Sequence, residues 1–529
     1  MKRIYKITQV ALFGAFIVGC TDLDTAPLSS TITADQKENV VAADPSKIEA
    51  SVTAITANFT QYAKIYTEDD NVHSDIGYPT IMLATDSRTT DFVADITGYN
   101  WYSNSANYSD CLSTSTATIE FWGTLYNQIY TANAVIGTVD NETSDPTLQF
   151  YLAQALAIRA FDYFTLVQLY QFNYKGHEDA PGVPIITSEN AEEVAANGCA
   201  RSTVKETYEF ILGDLNKAIE LLANTKKTRS DKRYVSLDVA YGIRARVHLT
   251  MHNYADALKD AEAALASTSS VPYSSAAVSK PTFIDIEDAS WMWGILITDK
   301  DRVSTTGICN FPSHMGSLNY GYASVGGWRR ISPKLYNQIP ESDVRKGWFL
   351  DDTGLSVNLP AAAQAYITNK GAPVYTQVKY GPMNDELGSN NNATDVILMR
   401  VEEMYLIKAE AQAMNNDVSG GVNTLNSFVN TYRDPSYKCT ATTGEAVQEA
   451  VWHQRRIEFW GEGLAYFDIM RLNKGVNRLG CGFPKTAVFN IAAGDPVQIY
   501  SIPNKEVQYN PLLENNPLVS APTPIPDEE

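Results

Sequence analysis

The sequence predicts a mainly α-helical protein in which paired helices are interrupted by long loops and short strands. Apolar residues recur at three- and four-residue spacing over many segments, as they do on one face of a helix. Stretches rich in Gly, Pro and Asn separate these segments and indicate loops. With 529 residues, 44% of them hydrophobic, the chain is also long enough to bury a large core.

The clearest helical pattern covers residues 204–222, where Tyr208, Ile211, Leu215 and Leu222 fall on one buried face. Similar periodicity predicts helices over residues 118–139, 148–170, 237–250, 254–267, 396–414, 421–432 and 445–472. Helix is therefore the expected main secondary structure.

Residues 245–265 resemble a tetratricopeptide hairpin, which is a pair of short antiparallel helices. Small residues lie where the two helices would cross, and Tyr254 would fill the gap at the turn. One such hairpin cannot bury its own apolar face. We therefore expect a stack of helix pairs, with residues 118–170 and 396–432 as further members.

Three long non-helical insertions interrupt the predicted stack, at about residues 71–115, 172–202 and 270–395. Within them, residues 290–297 and 373–379 have the composition of short strands. Loops on a rigid scaffold are where binding residues concentrate, so a binding site is expected in these insertions.

The first 20 residues, MKRIYKITQVALFGAFIVGC, combine a basic start, a short apolar run and a cysteine after small residues. The apolar run is shorter than the roughly 20 residues of a membrane-spanning helix. The end of this stretch resembles a bacterial lipobox, in which the cysteine is acylated and becomes the first mature residue. This predicts a removed signal peptide over residues 1–19, lipidation of Cys20, a flexible tether over residues 20–46 and a single domain over residues 47–529.

The charge of the chain argues against nucleic-acid binding. Removing the three positive charges of the signal peptide from a formal net charge of −20 leaves −23. Binding to phosphate backbones requires basic patches that release counterions. The cysteines predict neither a disulfide framework nor a zinc site, because five remain after lipidation and none has CxxC spacing; they are Cys111, Cys199, Cys309, Cys439 and Cys481.

Local motifs of catalytic chemistry are missing from the sequence. His248 and His252 are spaced as in a metalloprotease HExxH motif, but Leu249 occupies the position of the general base. The glycines around residues 461–463 and 480–482 match neither a dinucleotide loop nor a P-loop. We therefore expect no metal, no cofactor and binding without turnover.

Five phrases of the sequence resemble the SusD/RagB family, the surface lipoproteins that serve nutrient uptake in Bacteroidota. They are the anchor CTDLDTAP from Cys20, ALAIRAFDYFTLVQLY from Ala155 with GVP from Gly182, LMRVEEMYLIKAEA from Leu398, RRIEFWGEGLAYFDIMR from Arg455, and IPNKEVQYNP from Ile502. Together they extend over almost the whole mature chain.

The resemblance implies a SusD-like fold with an N-terminal part at about residues 47–230 and a C-terminal part at about residues 270–529. It also implies a location on the extracellular face of the outer membrane and a partner, a SusC-like TonB-dependent transporter, over which the lipoprotein acts as a hinged lid. The charged residues of the fourth phrase lie at helical spacings and predict ion pairs inside the protein rather than catalysis; they are Arg455, Arg456, Glu458, Glu462 and Asp468.

Two loops offer the aromatic faces and polar groups that sugar recognition requires. The first runs over residues 76–102, and the second over residues 319–330, where glycines would let the backbone approach a ligand closely. The candidate ligand-binding residues are Tyr78, Asp86, Asp91, Tyr99, Asn100, Trp101, Tyr102, Tyr320, Tyr322, Trp328 and Arg329.

The favoured hypothesis is a non-catalytic lipoprotein that captures an oligosaccharide and passes it to the transporter. The same fold and partner with a peptide as cargo would require a charged groove or a free strand edge. A surface glycan hydrolase would require two carboxylates near Asp86, Asp91 and Glu120 to converge in a cleft. A scaffold that only docks other proteins is a further alternative.

Overall fold

The computed structural model describes residues 37, 40, 41, 43–62, 65, 72–305 and 307–527. The predicted signal peptide and the predicted lipidation site at Cys20 lie outside these residues, as does most of the predicted tether. Val41, near the end of that tether, is already buried in the core. Of the helices in the described ranges, none combines the length and the apolar composition that crossing a bilayer requires.

Helix is the main secondary structure of the described residues, as predicted. The helices are α1 Glu49–Ala57, α2 Tyr78–Ser87, α3 Ser103–Ala106, α4 Thr116–Ile136, α5 Pro146–Tyr170, α6 Ala191–Asn197, α7 Val204–Asn224, α8 Leu237–Thr250, α9 Tyr254–Ser267, α10 Ser275–Val278, α11 Arg302–Thr305, α12 Phe311–Met315, α13 Pro333–Tyr336, α14 Ala361–Asn369, α15 Val401–Met414, α16 Val418–Tyr432, α17 Gly444–Glu458, α18 Ala465–Arg471 and α19 Asn504–Tyr509.

The long helices pack side by side in a row that follows the order of the chain. Helix α4 packs on α5, α5 on α7, α7 on α8, and α8 on α9; α15 then packs on α9, α16 and α17. Small residues permit the close contact of α8 and α9, because Ala257, Ala261 and Ala264 are fully buried. The predicted stack of tetratricopeptide-type helix pairs is thereby confirmed.

Short strands join segments that lie far apart in the sequence. They are β1 Phe92–Ala94, β2 Trp291–Ile295, β3 Arg329–Ile331, β4 Val396–Arg400, β5 Val476–Asn477 and β6 Asn490–Ile491. Among the described residues they form three two-stranded antiparallel sheets, β1 with β3, β2 with β4, and β5 with β6. The strand predicted over residues 290–297 is confirmed as β2.

Two secondary-structure predictions are wrong, one of a helix and one of a strand. The helix predicted over residues 396–414 begins only at Val401, because the preceding residues form β4 and pair with β2. Periodicity cannot separate a short buried strand from helix, and the pairing strand is remote in the sequence. The strand predicted over residues 373–379 is replaced by irregular backbone, in which Thr376 and Gln377 make isolated bridges.

The helix predicted over residues 445–472 is divided into α17 and α18. Gly461 and Gly463 lie between them with φ angles of 77° and 73°, a backbone region that favours glycine. A Cβ atom on Gly463 would also lie 2.7 Å from the Cβ of Met82. The chain therefore turns here and does not continue as helix.

A network of buried charges connects α17 with the insertions, as predicted for this segment. Glu458 is completely buried and accepts hydrogen bonds from Arg345, Arg400 and Arg433, with Arg433 Nε at 2.7 Å. Although burial raises the pKa of Glu458, the three guanidinium groups hold it well below its usual range. The other predicted charges are paired in the same way; Arg455 bonds to Asp468, Arg456 to Asp91, and Glu462 to Lys379 and Arg400.

Candidate functional site

The two loops predicted as separate candidates meet at one place on the surface. Strands β1 and β3 pair with Phe92 opposite Ile331 and Ala94 opposite Arg329. Because the pairing is antiparallel, the loop that leaves β1 runs beside the loop that enters β3. The side chain of Thr97 donates a hydrogen bond to the carbonyl oxygen of Gly326 at 3.3 Å, which ties the two loops together.

Three aromatic rings form the centre of this place. His73 stacks on Trp101 with 4.8 Å between ring centroids and an interplanar angle of 29°. Trp101 lies edge-on to Tyr322 at 6.2 Å, and a hydrogen bond joins His73 Nδ1 to the Tyr322 hydroxyl. All three side chains are partly buried and keep some exposure to solvent.

Two exposed tyrosines flank this centre. Tyr99 and Tyr320 are 51% and 47% exposed, which is unusual for residues of this size in the described chain. The Tyr99 ring lies against Gly326, where a Cβ atom would come within 2.8 Å of the ring. We call the surface formed by His73, Tyr99, Trp101, Tyr320 and Tyr322 the aromatic platform.

Buried polar residues support the platform from beneath. The ring of His314 stacks on Tyr322 at 5.0 Å, and Tyr102 meets His314 edge-on at 5.3 Å. Arg329 donates hydrogen bonds of 2.8 Å to the His314 carbonyl oxygen and to Asn100 Oδ1. Burial lowers the pKa of His314 to about 3, so its ring is neutral beneath the platform.

The comparisons with known proteins identify the family. A family model described as "Starch-binding associating with outer membrane" matches residues 41–249, and a second, described as "SusD family", matches residues 345–518. The chain belongs to the SusD/RagB family. SusD-like protein P2 of Formosa agariphila is 26% identical over 392 residues, covering 67% of this chain and 72% of the relative. SusD-like protein P38 of the same organism is 23% identical over 404 residues, covering 68% and 73%.

Solved structures of the family share the fold. A SusD-like carbohydrate binding protein from Bacteroides vulgatus superposes with a TM-score of 0.71 at 23% identity, covering 88% of this chain and 96% of its own. A SusD superfamily protein from Bacteroides thetaiotaomicron gives a TM-score of 0.71 at 22% identity, covering 89% and 99%. The predicted SusD-like fold of this family member is confirmed.

Several predicted ligand-binding residues lie in the interior of this SusD/RagB protein, and their assignment is corrected. Asn100, Tyr102 and Arg329 are at most 3% exposed, and they hold the platform loops in position. Tyr78 packs between Phe59 and Phe161, where burial raises its pKa to about 12. Trp328 fills a separate apolar cluster under the second loop.

The three carboxylates proposed for hydrolysis are also buried and bonded within the protein. Asp86 accepts a hydrogen bond from the Gly463 N–H at 3.0 Å, and Asp91 binds Arg456 with both oxygens. Glu120 accepts a hydrogen bond from Ser74 at 3.2 Å. Asp86 and Asp91 are therefore not surface ligand residues, because each holds two distant chain segments together.

Sequence reasoning missed His73. Its neighbours in the sequence have no periodic or motif signal, and its partner Tyr322 lies 249 positions away. A cluster of aromatics in the two loops was visible, but a histidine that completes the cluster from a third segment was not. Tertiary structure was required to find it.

The histidines considered as metal ligands have other roles. His248 lies 3.8 Å from Asp260, and His252 makes a hydrogen bond with the Arg471 carbonyl oxygen. Across the ranges that the structure describes, no group of three or more His, Cys, Asp or Glu side chains is arranged to hold a metal ion. In the same ranges, no disulfide joins Cys111, Cys199, Cys439 or Cys481; those residues are thiols.

Proposed function

We propose that this protein is a non-catalytic surface lipoprotein that binds an oligosaccharide on the aromatic platform and delivers it to a SusC-like TonB-dependent transporter. The observation that carries the proposal is the exposed set of rings around Trp101. Sugar rings have C–H faces that pack on aromatic faces, and their hydroxyls bond to polar groups at the rim. Tyr99, Tyr320 and Tyr322 each add a ring and a hydroxyl.

Proteins of similar structure support a carbohydrate as the cargo. One of the solved structures with the same fold is described as a carbohydrate binding protein, and another, also from Bacteroides vulgatus, as a putative sugar binding protein. The family description of starch binding and outer-membrane association agrees with a sugar-binding role at that membrane. The proposed anchor is the acylated Cys20, which would hold the protein on the extracellular face.

The binding proposal is tested by replacing Trp101 with Ala. We expect the affinity for the cognate oligosaccharide to fall by roughly 1–3 kcal/mol, because the central stacking surface is lost while the buried supports remain. A glycan array identifies a ligand, and calorimetry then measures both proteins. Tyr130→Ala is the control, because Tyr130 is 73% exposed on α4 and is not one of the platform residues.

The site assignment fails if Trp101→Ala keeps wild-type affinity for every glycan that binds. The non-catalytic role fails if concentrated protein steadily releases new reducing ends from a bound glycan. The transporter proposal predicts that a barrel of transporter size co-purifies from detergent with the wild type. Cys20→Ala tests the anchor, since the protein should then leave the membrane fraction.

A further inference from the structure

An apolar groove lies between helices α4 and α6, and its lining residues are separate from the aromatic platform. Its volume is about 330 Å³. Helix α4 forms one wall, and the segment that leads into α6 forms the other. The apolar residues that line it are Tyr126, Ile129, Tyr130, Ala134, Ile186 and Ala191. We call this surface the α4–α6 groove.

Two polar side chains of the α4–α6 groove are already bonded inside the protein. The Tyr126 hydroxyl donates to the Pro184 carbonyl oxygen at 2.8 Å, and Asn133 Nδ2 donates to the Ile186 carbonyl oxygen at 2.9 Å. Asn133 Oδ1 accepts from Arg159 Nη1 at 2.7 Å. Because the first two bonds cross between the walls, they hold the walls at a fixed separation. The groove is therefore preformed, and it suits an aliphatic side chain better than a sugar.

The described residues leave apolar surface uncovered around the α4–α6 groove. Tyr130 is 73% exposed at its rim. Against the described part of the chain, helix α6 buries none of its seven residues, although it carries Ala191, Val194 and Ala195. Exposed apolar surface that lines a groove marks a place where another segment or molecule binds.

The described part of the chain begins beside this groove. Its first residue is Lys37, whose ammonium group donates a hydrogen bond to the carbonyl oxygen of Ala134 at 3.5 Å. Burial lowers the pKa of Lys37, as expected for a side chain that lies against the protein. The segment that precedes Lys37 therefore joins the body at the Ala134 end of the groove.

The length and the composition of that segment fit the α4–α6 groove. From Tyr126 to Ala134 the helical wall covers eight positions, or about 12 Å. Ile32 precedes Lys37 by five positions and is the one large apolar residue in SSTITADQ, residues 29–36. Five extended residues reach at most about 18 Å, which covers the whole length of this wall.

We propose that residues 29–36 dock in the α4–α6 groove, with the Ile32 side chain between Tyr126 and Ile186. A segment attached so close by has a high effective concentration at the groove, which favours it over a partner in solution. Docking shortens the chain between Cys20 and the first held residue from 17 positions to 12. This consequence matters for the proposed lipid anchor, whereas the docking itself depends on neither the anchor nor the sugar site.

Hydrogen exchange measured by mass spectrometry, on the full-length protein in detergent, tests the docking. Residues 29–36 should be protected in the wild type. Their exchange should become about tenfold faster in Ile32→Asp and in Ala134→Trp, whose indole fills the groove. Asn127→Trp is the control on the same helix, because Asn127 is exposed and lies outside the groove lining. Leu23→Asp is the control in the preceding chain, and both controls should keep the wild-type rate.

The docking is supported if protection of residues 29–36 is lost in both groove variants and kept in both controls. Exchange of these residues at the rate of an unstructured peptide in the wild type would overturn it. Protection that persists in both Ile32→Asp and Ala134→Trp would overturn it as well, because the segment would then be held elsewhere. Protection of residues 186–191 that rises with protein concentration, without protection of residues 29–36, would assign the groove to a second copy instead. These measurements contain no oligosaccharide, so their outcome is separate from that of the platform test.

Discussion

Arg456 donates two hydrogen bonds to the Asp91 carboxylate, from Nε at 2.7 Å and from Nη2 at 2.6 Å, although the two residues lie 365 positions apart in the sequence. Trp460 strengthens the same junction by donating to the Asp91 carbonyl oxygen at 2.9 Å. The contact attaches the start of β1 to α17. It thereby fixes the position of the strand that precedes the first platform loop. Asp91 therefore contributes to the position of the site without facing its ligand.

Replacing Asp91 with Ala should reduce stability more than it reduces binding. We expect the free energy of unfolding to fall by roughly 1.5–3 kcal/mol, because Arg456 loses its charged partner in a mostly buried place. Chemical denaturation measures this loss. Asp95→Ala is the matched control, since the Asp95 pair with Arg330 is more exposed, and its loss should cost about 0.2–1 kcal/mol. Equal losses in the two variants would contradict the assignment.

Replacing Glu458 with Gln should destabilise the protein strongly. Three buried arginines would then share fewer negative charges, and removing one partner of a buried ion pair costs about 3–5 kcal/mol. Denaturation curves of the variant and the wild type give the difference. Glu209→Gln serves as control, because Glu209 forms only an exposed pair with Lys205 at 3.9 Å. A Glu458→Gln protein as stable as this control would show that the network is not stabilising.

The buried carboxyl of Asp86 should make stability depend on pH. Burial raises its pKa from 3.8 to about 7, so the folded protein holds a proton that the unfolded chain has released between these values. The contribution of Asp86 to stability is therefore fully present below pH 3.8 and is lost as pH rises to about 7.

Asp86→Asn removes this titration and keeps an oxygen for the Gly463 N–H. Relative to the wild type, the free energy of unfolding of the variant should increase as the pH rises from 3.8 to about 7, by up to about 4 kcal/mol. Thermal denaturation from acidic to neutral pH measures the difference. A stability difference that does not change with pH would rule out a protonated Asp86.

Replacing Gly326 with Ala should disturb the aromatic platform. The new Cβ would lie 2.8 Å from the Tyr99 ring, and φ is 141°, so the ring and the loop must both shift. We expect the oligosaccharide affinity to fall by roughly 1 kcal/mol, or about fivefold. Gly98→Ala is the matched control in the facing loop, because a Cβ there meets no atom within 4 Å. Similar affinities for the two variants would exclude Tyr99 from the site.

The sequence predicted the helical frame well because its long helices carry their own periodic signal. Residues 204–222 lie within α7, whose start has a capping box formed by Thr203 and Glu206. Strand β4 was missed because its apolar run continues directly into α15. The end of α17 was missed because it depends on the backbone angles of Gly461 and Gly463. The periodicity of apolar residues carries no information about these angles.

The candidate site was predicted in composition but not in arrangement. Both aromatic segments were recognised, but Tyr78–Ser87 of the first form helix α2 and not a loop. Adjacent rings also differ in burial, since Trp101 is partly exposed while Tyr102 is buried. Local sequence does not distinguish these two environments. The β1–β3 pairing that unites the loops, and His73 from a third segment, are products of contacts between remote parts of the chain.

The two-stranded sheet of β1 and β3 consists of three residue pairs, and the long helices lie outside it. The two platform loops, one after β1 and one before β3, are attached to this small sheet. Substitutions at the tips of these loops therefore need not disturb the helical frame. Under the proposed function, changes at these tips alter which oligosaccharide is bound while the body of the protein stays the same.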